Sequence, residues 1–148
     1  MEEEEQAKMI RRINIRDSER CVGCECCMFA CSRREGKASL ESSRIYVRSV
    51  GGMERGFIVI VCRACEDPSC MYSCPVGALK KREYGGVFLD REKCIGCGSC
   101  VEACPLSAIT MDEETNKPLI CIYCGFCVNY CPHQVIGIER VESGSLTE

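Results

Sequence analysis

The sequence lacks tryptophan altogether and has one histidine among 148 residues, and aromatic residues make up only 6% of the chain. Because large aromatic side chains supply much of the apolar surface that ordinary domains bury, a chain this short without them builds only a modest hydrophobic core. Long apolar runs are missing too, since no stretch approaches the roughly 20 residues that a membrane-spanning helix requires. The fold must therefore depend on something other than a large apolar core or a bilayer.

The charge and the absence of targeting signals bear on the cellular location of the protein and on nucleic-acid binding. Nineteen Lys and Arg against 22 Asp and Glu give a formal net charge of −3, and the basic residues form no stripe of the kind that binds nucleic acid. Arg11 and Arg12 could begin a twin-arginine export signal, but the apolar region that such a signal needs does not follow them. The sequence thus predicts a cytoplasmic protein with no membrane span and no nucleic-acid partner.

Cysteine, in contrast, is abundant: the chain has 17 cysteines, more than a tenth of its residues. Most of them form four runs spaced C-x-x-C-x-x-C-x-x-x-C, with two extra residues before the third cysteine of the second run. The runs consist of Cys21, Cys24, Cys27 and Cys31, then Cys62, Cys65, Cys70 and Cys74, then Cys94, Cys97, Cys100 and Cys104, and finally Cys121, Cys124, Cys127 and Cys131. This is the bacterial ferredoxin spacing, in which the thiolates bind 4Fe-4S clusters.

Two other uses of cysteine fit the pattern less well. Disulfide frameworks rarely place cysteines in repeated C-x-x-C runs, and so many unpaired thiols would be a liability in an oxidising compartment. Structural zinc sites usually close on four local ligands or include histidine, whereas the one histidine here, His133, follows a Cys-Pro pair. We expect His133 to cap a turn, and the seventeenth cysteine, Cys26, to be an inert small side chain, because its counterparts in two other runs are Ser99 and Phe126.

The third run, CIGCGSCVEACP from Cys94 to Pro105, shows how the runs depend on one another. Its first three cysteines lie close enough on one loop to bind three corners of a cube, while the fourth is set back and, in ferredoxins, serves the neighbouring cluster. Each run therefore requires a partner run. Four thiolates per cube also leave no open position for a substrate, which is typical of an electron carrier. Since every run keeps four cysteines, we expect four 4Fe-4S clusters.

The residues next to the cysteines carry further expectations. Proline follows the fourth cysteine in the last three runs, where its fixed φ directs the chain away from the cluster, whereas Ser32 takes this place in the first run. Glycines beside the cysteines permit tight turns and let backbone N–H groups approach the sulfurs. Tyr72, Phe126 and Tyr130 also lie beside cluster cysteines, and we expect them to shield the clusters from water.

Alternating and β-branched segments between the runs predict strands and hairpins. Met9 to Ile15 and Val135 to Val141 have the pattern of single strands, and Arg44 to Val50 with Phe57 to Val61 has that of a hairpin. A short helical turn is expected to start near Val76. Two further hairpins are expected to join Leu79–Tyr84 with Val87–Asp90, and Ala108–Asp112 with Pro118–Ile120. A cysteine loop, a short helix and a hairpin thus recur, which predicts an α+β fold of two pseudo-symmetric bacterial 2×(4Fe-4S) ferredoxin-like lobes.

The pattern of the four runs resembles a known family, the four-cluster electron-transfer subunits of molybdenum and tungsten pterin oxidoreductases, as found beside dimethyl sulfoxide reductase and formate dehydrogenase. The stretch CRACEDPSCMYSCPVGAL resembles the second motif of that family, and CIGCGSCVEACP resembles its third. The resemblance covers the chain from Ile10 to Glu139. In size the chain is also similar to the small four-cluster subunits of tungsten aldehyde-oxidoreductase-type enzymes, including the benzoyl-coenzyme A reductase kind.

The spacing alone leaves the pairing of the runs open: first with second and third with fourth, as two sequential ferredoxins, or first with fourth and second with third. The resemblance implies the latter, within a single compact four-cluster unit spanning residues 1–148. One lobe (residues 10–35 and 119–140) would bind its clusters through Cys21, Cys24, Cys27 and Cys131, and through Cys121, Cys124, Cys127 and Cys31. The other (residues 57–112) would use Cys62, Cys65, Cys70 and Cys104, and Cys94, Cys97, Cys100 and Cys74.

The resemblance also implies a function. The chain would be an electron-transfer subunit, not catalytic alone, that relays single electrons between a large catalytic subunit of the molybdenum or tungsten pterin type and a further donor or acceptor protein. Its thiolates and four oxidised cores would add about −8 to the formal charge, so that the loaded protein would carry about −11. A free-standing polyferredoxin and a structural zinc-binding interaction module are the alternatives.

Overall fold

A computed structural model describes residues 9–51, 56–83 and 85–142. Over these ranges short helices alternate with antiparallel strand pairs, which is the predicted α+β class. The α-helices are α1 (Cys26–Arg34), α2 (Ser69–Ser73) and α3 (Ser99–Ala103), and 3₁₀ helices span Ser18–Arg20, Leu40–Ser42 and Phe126–Tyr130. The strands are β1 (Met9–Ile15), β2 (Ile45–Ser49), β3 (Phe57–Val61), β4 (Leu79–Lys81), β5 (Val87–Leu89), β6 (Thr110–Asp112), β7 (Lys117–Leu119) and β8 (Ile136–Glu142). Among the described residues, no helix has the length and apolar character needed to cross a membrane.

Strands β1 and β8 form one antiparallel pair that brings early and late parts of the chain together. Ile15 lies opposite Ile136, and both predicted strands are confirmed to within one residue. Successive residues of a strand point to opposite faces, so Ile13 and Ile10 are buried on different faces of β1. The first and fourth cysteine runs, which follow β1 and precede β8, therefore lie beside each other, and α1 contacts the 3₁₀ helix of the fourth run.

Strands β2 and β3 form the hairpin predicted from their alternating and β-branched residues. Ile45 lies opposite Val61, and Val59 of the same hairpin is also buried in the core. These side chains belong to the same buried group as Met28 of α1. The hairpin therefore packs on the first and fourth runs, although it lies between the first and second runs in the sequence.

The two shorter hairpins also form as predicted. Strand β4 pairs with β5 around Gly85 and Gly86, and β6 pairs with β7 around Asn116. Tyr84, expected at the end of the first of these strands, lies outside the described residues. Asn116 has a φ of 53°, a left-handed conformation that asparagine tolerates better than most residues.

The helix of the second run differs in position from the prediction. Instead of starting near Val76, α2 ends before Cys74. Pro75 explains the difference, because it has no N–H to continue a helix and favours extended backbone in the residue before it; Cys74 has φ −73° and ψ 115°. A Cys-Pro pair also follows α3 and the 3₁₀ helix Phe126–Tyr130, and each of these helices has five residues. Where Ser32 replaces proline, α1 continues for nine residues.

The buried apolar side chains form two larger groups and a small third one. The first group surrounds the first and fourth runs and consists of Ile13, Cys27, Met28, Ile45, Tyr46, Val59, Val61, Cys127, Val135 and Ile136. The second surrounds the second and third runs and consists of Leu79, Val87, Cys100, Ile109 and Ile120. The third consists of Ile10, Ala64 and Tyr123, with Cys62 and Cys121 packed against it. Cysteines belong to every group or contact it, so the core is built around them.

Candidate metal centres

A tight turn precedes the second cysteine in each of the four runs. The residues at this position, Gly23, Ala64, Gly96 and Tyr123, all have positive φ, between 52° and 71°. Glycine adopts this conformation without strain, and at Gly23 an added Cβ would lie 2.5 Å from the ring of Phe57. The interpretation of these glycines as turn residues is confirmed. Ala64 and Tyr123 adopt the same backbone despite their side chains, and both are buried.

The short helices place the third cysteine of each run in the same way. In every run this cysteine is the second residue of the helix, so that its side chain lies just after the loop that carries the first two. Cys27, Cys100 and Cys127 are buried there. The second cysteines are instead exposed; they are Cys24, Cys65, Cys97 and Cys124. The first, third and fourth runs thus each present a buried thiol and an exposed thiol around one loop.

The sulfur of the fourth cysteine accepts a backbone hydrogen bond in every run. In the second and third runs the donors are the N–H groups four residues later: Ala78 donates to Cys74 over 3.3 Å, and Ala108 to Cys104 over 3.4 Å. Val135 donates in the same way to Cys131 over 3.3 Å. Such bonds stabilise a thiolate. The turn that supplies them forms only because the helix stops at the Cys-Pro pair.

The thiols of the first run lie close to the last thiol of the fourth. Cys21, Cys24 and Cys27 line one cavity of about 330 Å³ together with Cys131. The pKa of the Cys27 thiol is raised to about 12, mainly by burial, with smaller contributions from the neighbouring charges of Cys131 and Cys21. This is the set of four that the resemblance implies.

The converse set lines a second cavity of about 360 Å³. Cys121, Cys124 and Cys127 of the fourth run lie there with Cys31 of the first. Burial raises the pKa of Cys127 to about 12, and the charge of Cys31 contributes most among its neighbours. The last cysteine of each of these two runs therefore lines the cavity of the other run.

A third cavity, of about 320 Å³, has the same composition. It is lined by Cys94, Cys97 and Cys100 of the third run and by Cys74 of the second.

The remaining four cysteines are related by their electrostatic interactions. The pKa of Cys70 is raised to about 11, mainly by burial and with smaller contributions from the charges of Cys62, Cys104 and Cys65. The second run thus has the last cysteine of the third as its neighbour. The three cavity linings and the electrostatic neighbours of Cys70 agree with the four implied groups, and the assignment of the sixteen cysteines as ligands stays a prediction.

These groups suit a thiolate-ligated cluster. Within the described residues, no three His, Cys, Asp or Glu side chains converge closely enough to hold a metal ion, and the cysteines instead surround cavities. Burial raises the pKa of one or more thiols in each group, which means that bare thiolates are costly there. A cationic iron core would offset the cost of burying these thiolates, because iron binds the deprotonated sulfur and its positive charge stabilises the negative one.

Cys26 and His133 lie beside the first group. His133 is exposed and lines the cavity of Cys21 and Cys131. Cys26 begins α1, and a hydrogen bond with Cys24 is the main reason that its pKa is raised. The roles expected for both, a turn cap and an inert side chain, stay predictions.

Comparison with known proteins identifies the family. Residues 53–141 match the family described as the 4Fe-4S dicluster domain. This protein is a member of that family. The prediction of 4Fe-4S clusters as cofactors is thereby confirmed, and the cysteine count is consistent with four of them.

Two relatives of the dicluster protein are parts of reductases. The chain is 38% identical to a tetrathionate reductase subunit of Archaeoglobus fulgidus, over 66% of this chain and 47% of that protein. It is 37% identical to one chain of the anaerobic dimethyl sulfoxide reductase of Escherichia coli, over 66% and 53%. The chain spans about half the length of these curated relatives. Both relatives are named as one subunit or chain of a reductase complex.

Solved structures confirm the fold. The benzoyl-coenzyme A reductase active-site complex BamBC contains a chain that matches this one with a TM-score of 0.53 and 17% identity, covering 90% of this chain and 81% of that one. A second structure of the complex, with 1,5-dienoyl-CoA, has a TM-score of 0.54 and 16% identity, covering 95% and 83%. At this identity the likeness concerns the fold alone.

One residue that sequence reasoning missed joins two cysteine groups of the dicluster protein. The hydroxyl of Tyr123 lies 2.9 Å from Sγ of Cys62, and its backbone N–H donates to Sγ of Cys121 over 3.3 Å. Burial above all, and then the Cys62 thiolate, raise the pKa of Tyr123, so its hydroxyl stays protonated and donates to the sulfur. Its place in the C-x-x-C turn, where other runs have glycine or alanine, was the available signal.

The aromatic residues that were expected to shield the clusters are less suited to that role. Tyr72 is 69% exposed and Tyr130 is 52% exposed, whereas Tyr123 is only 4% exposed. Phe126 packs against Tyr130, with ring centroids 5.0 Å apart. The shielding aromatic between two groups is therefore Tyr123.

Proposed function

We propose that this chain is the electron-transfer subunit of an oxidoreductase complex, with four 4Fe-4S clusters that pass single electrons between a catalytic subunit and an external redox partner. Each cluster, when bound, supplies one-electron redox chemistry. The observation that supports this proposal is that Cys131 lines the cavity of the first run and Cys31 lines the cavity of the fourth, as an exchange of last cysteines requires. Such an exchange couples clusters in pairs, as in ferredoxins.

The proposed ligands are the sixteen cysteines of the runs, arranged as two pseudo-symmetric lobes. One lobe, residues 10–35 and 119–140, is supported by the pairing of β1 with β8 and by the buried group around the first and fourth runs. The other, residues 57–112, is supported by the contact between α2 and α3 and by the second buried group. The hairpin of β2 and β3 packs with the first lobe.

The contacts between lobes support one order of the four sites along the protein. Cys62 and Cys121 are joined through Tyr123, and the charge of Cys62 contributes to the raised pKa of Cys121. The sites of the second and fourth runs are therefore the inner pair. The site of the third run lies beyond one of them, and that of the first run beyond the other. A protein with four such sites suits a relay between two partners better than a shuttle that needs a single site.

The partner is proposed from the resemblance: a large catalytic subunit of the molybdenum or tungsten pterin type, in a reducing, cytoplasmic setting that keeps free thiols available for iron. Co-purification from a native extract tests this point. A large subunit containing molybdenum or tungsten is the expected result, and a chain that purifies alone as an active carrier would identify the polyferredoxin alternative.

The cluster content is tested on the full chain after anaerobic reconstitution. We expect about sixteen iron atoms and as many acid-labile sulfides per chain, and visible absorption that bleaches on reduction with dithionite, as for four cubes. The redox titration should resolve four one-electron steps. Zinc without colour, or about half this iron content, would contradict the proposal.

A further inference from the structure

A cleft lined by four arginines lies beside the site of the fourth run. Arg11 comes from β1, Arg140 from β8, Arg34 from the end of α1, and Arg82 from the segment after β4. The cleft encloses about 1120 Å³, part of it open to solvent, and no carboxylate lines it. Four cations thus converge from separate parts of a chain whose formal charge is negative.

The register of the terminal sheet places two of these cations directly opposite each other. Arg11 is the cross-strand partner of Arg140. Like charges in this position destabilise a sheet. At the next position of the same strand pair, residues of opposite charge face each other: Arg12 and Glu139 form an ion pair with an Nε–Oε2 distance of 2.7 Å. Within the described residues, no ion pair connects any of the four cleft arginines to a carboxylate.

The arginines are held in place by backbone carbonyl groups. Arg11 donates to the carbonyl oxygen of Cys124 over 3.3 Å, and Arg82 donates to that of Ile122 over 2.9 Å. The Arg82 guanidinium also lies over the ring of Tyr123, 5.5 Å from its centroid. Carbonyl and aromatic contacts orient these cations without neutralising their charge, so the positive potential of the cleft is preserved.

The cleft is also the place where the fourth-run site reaches the surface. Cys124, the exposed cysteine of that run, lines the cleft, and Arg34 lines both the cleft and the cavity of Cys31 and Cys121. A molecule seated on the arginines therefore contacts the wall of a proposed cluster site. The positively charged cleft and the proposed electron-exchange site therefore lie side by side.

We propose that this arginine cleft is a docking face where an acidic electron-transfer protein presents its carboxylates and exchanges electrons with the site of Cys31, Cys121, Cys124 and Cys127. Guanidinium groups match carboxylates in bidentate geometry. An open cleft with exposed Arg11, Arg34 and Arg140 suits a protein surface better than a small anion, which usually binds in an enclosed pocket. The acidic remainder of the loaded chain repels such a partner, so the cleft also sets its orientation.

The inference rests on the proposed electron-transfer function, and the test separates the two. Reconstituted full chain is reduced with dithionite, and its oxidation is followed by stopped flow with two small probes of opposite charge, ferric EDTA and hexaammineruthenium(III). The test variant is Arg11→Gln with Arg140→Gln. The control, Arg48→Gln with Arg91→Gln, removes the same charge from exposed positions outside the cleft.

At low ionic strength we expect the test variant to react about tenfold more slowly with ferric EDTA and no more slowly with the ruthenium complex, because the positive cleft attracts the anion and repels the cation. The control should react like the wild type, and the difference should vanish in high salt. Equal rates with ferric EDTA in all three proteins would overturn the docking face while leaving the function intact. A chain whose clusters dithionite does not reduce would instead defeat the proposed function.

Two further measurements exclude other roles of the arginines. The reduction potentials of the clusters are titrated in each variant. If the rate falls because a potential has changed, while the salt dependence of the rate stays the same, the arginines only compensate the charge of the clusters and the docking face is excluded. Polyglutamate and inorganic phosphate are compared as inhibitors of the reaction with ferric EDTA. We expect polyglutamate to inhibit at a far lower carboxylate concentration, and equal potency of phosphate would indicate a small-anion site and contradict the proposal.

Discussion

The backbone N–H of Arg44 donates to Sγ of Cys31 over 3.3 Å, across thirteen residues of sequence. In the other runs the fourth sulfur accepts from the residue four positions later, after a Cys-Pro turn. The first run has Ser32 instead of proline, so α1 continues past Cys31 and that turn cannot form. A residue at the start of the β2–β3 hairpin supplies the missing donor, which explains why this hairpin packs against the first and fourth runs.

The side chain of Arg44 should raise the reduction potential of the same site. Arg44 is only 7% exposed, lines the cavity of Cys31, and has an Nε with no hydrogen-bond partner among the described residues. A buried positive charge favours the reduced, more negative cluster. We expect Arg44→Gln to lower one of the four potentials by tens of millivolts and Arg44→Lys to lower it less, as measured by EPR-monitored titration.

Arg48→Gln is the matched control, because Arg48 is exposed on the same strand. Glu35 forms an ion pair with Arg44, and Glu35→Gln tests the effect of removing its negative charge. Its loss should raise the same potential. A shift of equal size in Arg48→Gln would show that the effect is not local.

Cys104→Ser should remove the cluster of the second run. In the proposed exchange Cys104 completes the set of Cys62, Cys65 and Cys70, so the variant should lose about a quarter of its iron, or keep a three-iron form there, while the site of Cys94 persists. Iron analysis and EPR measure this outcome. Cys26→Ser should retain all four clusters. Damage confined to the Cys94 cluster would contradict the pairing of the second and third runs.

Tyr123→Phe should alter the inner pair of sites. The variant keeps the buried ring and loses the hydroxyl that lies 2.9 Å from Sγ of Cys62. Because a hydrogen bond to a ligand sulfur stabilises the reduced cluster, we expect the potential of that site to fall. A redox titration measures the shift, and Tyr130→Phe, at a mostly exposed position, should leave all potentials unchanged.

Gly96→Ala should destabilise the third run more than a comparable substitution elsewhere. At Gly96 φ is +71° and an added Cβ would lie 2.5 Å from the backbone oxygen of Asn116, whereas Gly51 also has positive φ but no heavy atom within 4 Å. We expect losses of about 3 kcal/mol for Gly96→Ala and about 1 kcal/mol for Gly51→Ala. The urea concentration at which cluster absorbance disappears measures both, and equal losses would argue against a close approach to Asn116.

Local sequence determined much of the architecture. The spacing of Cys94, Cys97 and Cys100 places three thiols around one loop whatever the rest of the chain does, and alternation in RIYVRSV followed by FIVIV predicts the hairpin, because both patterns act over a few residues. Proline after a cysteine predicts where the chain leaves each helix, although the helix itself was expected too late, near Val76.

The tertiary structure alone decided which segments meet. Spacing cannot bring Cys131 to Cys21, Arg44 to Cys31 or Arg11 opposite Arg140, because each of these contacts depends on β1 pairing with β8 and on the packing that follows. Tyr123 is a further example. In the sequence it is one residue of a C-x-x-C loop, and only the packing of the second and fourth runs against each other places its hydroxyl beside Cys62. The metal-binding chemistry is local and therefore readable from the residues, whereas the cysteines from different runs that share a cavity, and the arginine cleft, arise from contacts between distant segments.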